Sequence, residues 1–190
     1  IRAAVIAASD QARDMNAVRE AVEFSYGDAF SRVIYTESHD EVANGSARVP
    51  QEVNDDDPTG YYAQKRSTLG AALVLTSPGL PMIFQGQELL EGEWFRDTVP
   101  LHWDQGAQFK GIFRMYRDLV SLRLNEEGHT KGLTGQNVDT LHLHPDNHVY
   151  AFHRWADGGP HDDVVVAVNL DSKAWGEYTI GMPAAGRWVT

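Results

Sequence analysis

The chain has 190 residues and a formal charge of −11, from 27 acidic side chains against 16 Lys and Arg, and 42% of it is hydrophobic. That composition supports one or two domains with a sizeable core, and it argues against a disordered chain, a bilayer-spanning apolar run and, lacking a basic cluster, a nucleic-acid or anionic-membrane partner. Zero Cys excludes disulfides, thiolate metal sites and a Cys nucleophile, and fits a reducing, cytoplasmic setting.

Residues 12–24 place Met15, Val18, Ala21 and Val22 at helical spacing between Arg and Glu, the pattern of an amphipathic helix. Gly27 and Asp28 break it, and residues 32–36 (RVIYT) form a β-branched and aromatic run expected to be a buried strand. Residues 37–60 are polar, carry Pro50, Pro58 and the triplet Asp55, Asp56, Asp57, and show no period. A loop of that length is more often functional than idle. Residues 61–76 are helical again, with Leu69, Ala72, Leu73 and Leu75 as the expected buried side, and Ser77-Pro78-Gly79 stops them. Residues 80–84 (LPMIF) read as a second short strand. Polar residues 85–88 follow, then an irregular stretch, 92–104, with Trp94, Phe95, Pro100 and Trp103. Residues 109–124 form a helix whose inner face is Ile112, Phe113, Tyr116, Leu119, Val120 and Leu124.

After about Glu127 the pattern changes to strands at 138–143, 149–155, 164–169 and 176–180, separated by Asp, Gly, Pro and Asn turns. No internal repeat or low-complexity tract interrupts the chain. The first two thirds therefore read as a βα pattern with a parallel sheet and the last third as antiparallel β. The boundary is expected within 128–135, giving domains 1–127 and 128–190. The chain opens at Ile1 without a signal-peptide pattern, and residues 186–190 (GRWVT) read as the entry to a further strand. It is expected to be a piece of a longer protein.

The densest polar cluster, Thr36-Glu37-Ser38-His39-Asp40-Glu41, directly follows a strand. In a parallel βα barrel such residues face the active-site mouth, where a carboxylate and an imidazole can bind sugar hydroxyls and stabilise developing positive charge. Read as a continuation of the strand, Ser38, His39 and Asp40 alternate faces and form no hydrolase triad. On residue types alone, a polar loop capping a helix explains the cluster equally well.

The segment Val33-Ile-Tyr-Thr-Glu-Ser-His-Asp40-Glu-Val-Ala-Asn-Gly45 resembles the fourth conserved region of the α-amylase superfamily, glycoside hydrolase family 13, and its Glu-Ser-His-Asp form is most similar to 1,4-α-glucan branching enzymes. Pro78-Gly-Leu-Pro-Met-Ile-Phe-Gln-Gly-Gln-Glu88 resembles the segment these enzymes carry on their eighth barrel strand, and Phe95-Arg-Asp-Thr-Val-Pro-Leu-His-Trp-Asp104 the stretch after it. Residues 149–155 and 164–170 are similar to the all-β domain placed after the barrel. The resemblance implies an α/β fold: the C-terminal part of a (β/α)8 TIM barrel followed by an antiparallel β-sandwich domain. It assigns Asp40 to the catalytic carboxylate that stabilises the oxocarbenium-like transition state and His39 to substrate binding through hydroxyls of the same sugar. Gln87 and Glu88 are read as mainly structural. The nucleophile and general acid of a retaining mechanism lie upstream of Ile1 in this family, and no residue here matches either motif.

The implied parent is a retaining enzyme that cleaves α-1,4 bonds of a glycogen- or starch-like α-glucan and transfers the glucan to a 6-hydroxyl. Its partners are that glucan and the missing N-terminal part of the parent chain, and no cofactor or metal is implied. Plain hydrolysis is the alternative within the family, and a non-catalytic carbohydrate-binding fragment the alternative outside it. Other candidates have ordinary explanations. His142, His144, His148 and His153 crowd two strands without a carboxylate placed to complete a zinc site. Asp55–Asp57 lacks the spaced ligands of a calcium loop, and Asp57 starts a turn before Pro58. Trp94 and Trp103 suit sugar stacking or burial against a rim. Arg48 and Arg96 suit sugar hydroxyls, with surface salt bridges as the default.

Overall fold

The computed structural model describes residues 1–159 and 162–189. Helix α1 (Arg2–Ile6), which has no counterpart in the sequence pattern, buries Ala4 and Val5. Helix α2 (Met15–Glu23) begins where the Asp14 carboxylate accepts the Ala17 N–H at 3.0 Å, and it buries Met15, Val18 and Val22 on one stripe. Two short strands follow, β1 (Val33–Ile34) and β2 (Leu80–Pro81), paired in parallel with Val33 opposite Leu80 and Ile34 opposite Pro81. The parallel pairing agrees with the sequence pattern; the lengths do not. Pro81 has no N–H to give, and the pair closes with Leu80 N–H to Arg32 O (2.8 Å) and Met82 N–H to Ile34 O (2.9 Å).

Helices α3 (His39–Val42) and α4 (Val49–Val53) lie within the stretch expected to be a loop, and α5 (Tyr61–Thr76) connects it to β2. Helix α5 is buried on several sides, through Ala63, Gly70, Ala71, Leu73, Val74 and Leu75. Leu69 and Ala72 are only half-buried, since α5 is packed between neighbours instead of resting one face on a core. Gly70 permits the close approach to β1: a Cβ there would stand 3.1 Å from Thr36 Cγ2. After β2 come α6 (Gln105–Gln108) and α7 (Lys110–Leu124). Ile112 and Tyr116 of α7 are buried against Ala71, Leu75 and Leu90, whereas Phe113 and Leu124 are 48% and 61% exposed. Phe113 instead lines an open cleft of about 390 Å³ with Ile83, Tyr116 and Val120.

The last region is one antiparallel sheet in the order β3 (Asn137–His144), β4 (Val149–Trp155), β5 (Val164–Asn169). The central strand β4 is the most buried, as its position between two partners requires. The register shifts by one residue between Thr140 and His142, a β-bulge at the edge strand. A strand expected at 176–180 is corrected, since that segment has no strand pairing, and of the expected β-sandwich the described part of 128–190 holds this one sheet. Tyr178 is tied down by its side chain, through its hydroxyl to His142 (2.9 Å), between Gly176 and Gly181. Residues 186–189 are likewise outside any strand, and Thr190 lies outside the described residues. Helices cover one face of this sheet. Tyr150, Phe152, Val168 and Leu170 share a core with Met15, Val18, Val22 and Leu73. No helix among the described residues is long and apolar enough to cross a membrane.

Candidate functional site

The C-terminal ends of β1 and β2 are side by side, so the segments leaving them share one end of the sheet. Gln87, in the turn Gln87–Leu89, stitches them together: its Oε1 accepts the Phe84 N–H at 2.7 Å and its Nε2 donates to Thr36 Oγ1 at 2.9 Å. Glu88 accepts the Gly86 N–H at 3.1 Å. These three contacts agree with a structural role for Gln87 and Glu88.

Beyond Thr36 the backbone does not continue as a strand. Ser38 caps α3, its Oγ accepting the Glu41 N–H at 3.4 Å, and His39 and Asp40 open the helical turn. Their side chains fan around that turn and do not alternate across a sheet. Asp40 is 97% and His39 65% exposed, with Nδ1 of His39 3.4 Å from Asp40 Oδ1. The His39 ring meets Phe95 edge-on at 5.4 Å, and Phe95 in turn meets Phe84 at 5.4 Å. The Phe95 N–H donates to Val42 O at 2.7 Å, so the segment after β2 is laid directly against α3.

Beneath these exposed groups lies a buried ion pair. Glu37 and Arg48 are each 1% exposed, with Arg48 Nη1 3.1 Å from Glu37 Oε2. The other Glu37 oxygen accepts the Val49 N–H at 2.7 Å. Arg48 also donates to Glu93 O (2.7 Å) and Gln85 O (3.0 Å) and lies 5.0 Å over the Phe84 ring. A surface salt bridge for Arg48 is therefore corrected: its five fixed donors let one side chain close several orphan carbonyls at once, which favours burial. Burial pushes the Glu37 carboxyl upward, and the Arg48 guanidinium opposes that shift. A second carboxylate, Glu91, accepts the His102 N–H at 3.1 Å and faces His102 Nδ1 at 3.0 Å. Burial alone would raise Glu91, but the hydrogen bonds from His102 and Glu93 hold it below the usual carboxylate value. The His102 imidazole is raised by the same hydrogen bond and by the Glu91 charge.

Two parallel strands, each followed by a helix and joined at a polar mouth, with a three-stranded antiparallel sheet behind them, agree with what similar proteins show. The family model described as alpha amylase, C-terminal all-beta domain, matches residues 141–190. The 1,4-alpha-glucan branching enzyme GlgB of Pseudomonas fluorescens is 33% identical over 179 residues, 87% of this chain and 23% of that protein. The branching enzyme GlgB of Burkholderia vietnamiensis is 32% identical over 173 residues, 84% of this chain and 22% of that protein. Over more than four fifths of its length the chain is thus similar to these branching enzymes, and at residues 141–190 to the alpha amylase C-terminal all-beta domain. It spans less than a quarter of the length of these curated relatives. A solved pullulanase from Anoxybacillus sp. LM18-11 shares the fold with a TM-score of 0.66 at 20% identity, over 89% of this chain and 26% of that one. A type I pullulanase from Bacillus subtilis, complexed with maltose, gives 0.60 at 18% identity, over 87% and 25%.

Most of the remaining candidates are occupied by structural contacts. Arg96 pairs with Glu93 at 3.1 Å and lies 5.1 Å over the half-buried Trp94, while Trp103 is largely exposed. Asp55 accepts Gln51 Nε2 at 2.7 Å, and Asp57 O accepts the Gly60 N–H at 3.1 Å, the turn expected before Pro58. The histidines are dispersed to separate partners: His142 to Tyr178, His148 to Asp171 at 2.8 Å, and His153 to Asp163 at 2.6 Å. Among the described residues no group of three His, Cys, Asp or Glu could hold a metal. The Glu37–Arg48 and Glu91–His102 pairs were not legible from spacing, since each joins residues 11 apart across irregular backbone. The one local signal is that Arg48 precedes Val49-Pro50, a helix start.

Proposed function

We propose that the chain is the C-terminal part of a 1,4-α-glucan branching enzyme, with residues 1–127 contributing the last βα units of a (β/α)8 barrel and residues 128–190 the all-β domain after it. The observation that carries this is the identity of about 30% to branching enzymes across more than four fifths of the chain. Exposure of the sheet adds support. Val33, Tyr35, Leu80 and Ile83 present apolar surface, and β1 and β2 pair only with each other among the described residues. Closed barrels bury such a face in layers of strand side chains and leave no open edge.

In this reading the parent enzyme resides in the cytoplasm, and its substrate is a glycogen- or starch-like glucan. A carboxylate upstream of Ile1 attacks the anomeric carbon while another protonates the leaving oxygen, the two standing about 5–5.5 Å apart as retention requires. Asp40 supplies fixed negative charge beside the oxocarbenium-like centre, and His39 binds hydroxyls of the same sugar ring. Asp40 alone cannot perform attack and protonation together, so the 190-residue chain has no turnover by itself. The test is an assay of the full-length parent on amylose, following iodine colour and reducing ends together. Loss of colour without matching reducing ends is the expected result. Stoichiometric release of reducing sugar overturns branching in favour of hydrolysis, and no change in either overturns the enzyme reading.

A further inference from the structure

The exposed pair His39 and Asp40 has few anchors of its own. Ser38 caps the turn, and the remaining definition comes from Phe95, whose ring meets His39 and whose N–H holds Val42 O. Phe95 is two residues from Glu93, and the carbonyl of Glu93 is held by Arg48 Nε. Arg48 also holds Gln85 O, in the segment leaving β2, and Glu37, two residues before His39. Glu37 completes the circuit by taking the Val49 N–H at the start of α4. One buried guanidinium thus ties the segment leaving β1, the segment leaving β2 and the loop that packs on His39.

We propose that Glu37 and Arg48 are positioning residues, which set His39, Asp40 and the Glu91–Arg96 loop in the geometry needed for glucan transfer without touching substrate. This rests on the branching-enzyme reading. The chemistry favours a hub over simple stability. A buried ion pair contributes little net stability beyond an apolar pair of the same volume, but it constrains geometry because each partner accepts few orientations. Arg suits this place because its planar fork serves several acceptors at fixed angles, which a Lys ammonium does not. Misplacing a catalytic group by about 1 Å can cost about 100-fold in rate.

The experiment uses the full-length parent with Arg48→Lys and Glu37→Gln, read by steady-state kinetics, thermal melting and hydrogen exchange at the Phe95 amide. For Arg48→Lys the expected result is a kcat lower by about 10- to 100-fold, with KM within about threefold and faster exchange at Phe95. Glu37→Gln keeps the Val49 hydrogen bond and should move both readouts less, and it serves as the test if Arg48→Lys does not fold. A role in stability alone would lower the melting temperature and leave kcat per folded molecule and Phe95 exchange unchanged, which would overturn the proposal. Should the wild-type parent show no glucan turnover, the branching reading fails on its own. Phe95 exchange in the variants then decides the positioning role, and unchanged protection overturns it.

Discussion

The two ends of the β1–β2 pair treat charge in opposite ways. At the C-terminal end stand His39 and Asp40, open to solvent above the Glu37–Arg48 pair. At the N-terminal end Arg32, Arg123 and Arg154 hydrogen-bond to backbone carbonyls and, among the described residues, to no carboxylate. Arg32 reaches Ala21 O and Pro78 O, each at 2.7 Å, and Arg123 reaches Ser77 O and Gly79 O, each at 2.5 Å. Arg154, fully buried, reaches Thr76 O, Leu133 O, Gly135 O (2.6 Å) and Asn137 O (3.0 Å). Burial, and then the neighbouring Arg123 and Arg32, push Arg154 down to about 9. Helix α5 ends there, so its last carbonyls carry partial negative charge and need donors. The lesson is one of division: cations seal the end where the antiparallel sheet docks, and the other end leaves its carboxylate open to solvent.

The strongest challenge to that division is Arg154→Met, which keeps apolar volume and removes the donors. Each buried carbonyl left unpaired costs about 1–3 kcal/mol, partly recovered where water enters and by relief of the charge itself. A loss of about 3–5 kcal/mol in denaturant unfolding is expected. A loss under about 1 kcal/mol would mean that the arginine seal is dispensable. At the opposite end Asp40→Asn should leave the unfolding midpoint of the parent unchanged, because the carboxylate is exposed and, among the described residues, has only His39 within bridging distance. Its rate on glucan should fall by about 10²–10³, the usual cost of one preorganised electrostatic contact. Activity within a few-fold of wild type would remove Asp40 from the site.

The smallest effect belongs to Glu91 and His102, at the rim. His102 is raised above its ordinary 6.5, so its contribution is complete below that value and is lost as pH rises through the raised value. Glu91 is lowered from 4.5, so its contribution is complete above that value and is lost as pH falls through the lowered one. The pair therefore stabilises most between about pH 4.5 and 6.5. His102→Gln should be less stable than wild type in that window by under about 1 kcal/mol, since the imidazole is partly exposed, and the gap should close at higher pH. Urea titrations at pH 5.5 and 8.5 check this, and an equal gap at both values would show that the charge is irrelevant.

Local pattern alone was enough to specify the longer helices α2, α5 and α7, the parallel pairing and the ends of β4 and β5, because periodicity and turn residues act within a few positions. The position of His39 and Asp40 directly after a strand was likewise legible, while the roles proposed for them come from the resemblance of that segment to a known motif. Tertiary structure decided the rest. The lengths of β1 and β2 depend on Pro81 and on how many neighbours a strand has, and the packing of α2 and α5 on the antiparallel sheet joins residues far apart in sequence. Which arginines are buried could not be read locally, because Arg48, Arg123 and Arg154 look like surface residues until distant carbonyls converge on them. Burial of a charge is a property of its partners, and those partners lie up to 78 residues away along the chain.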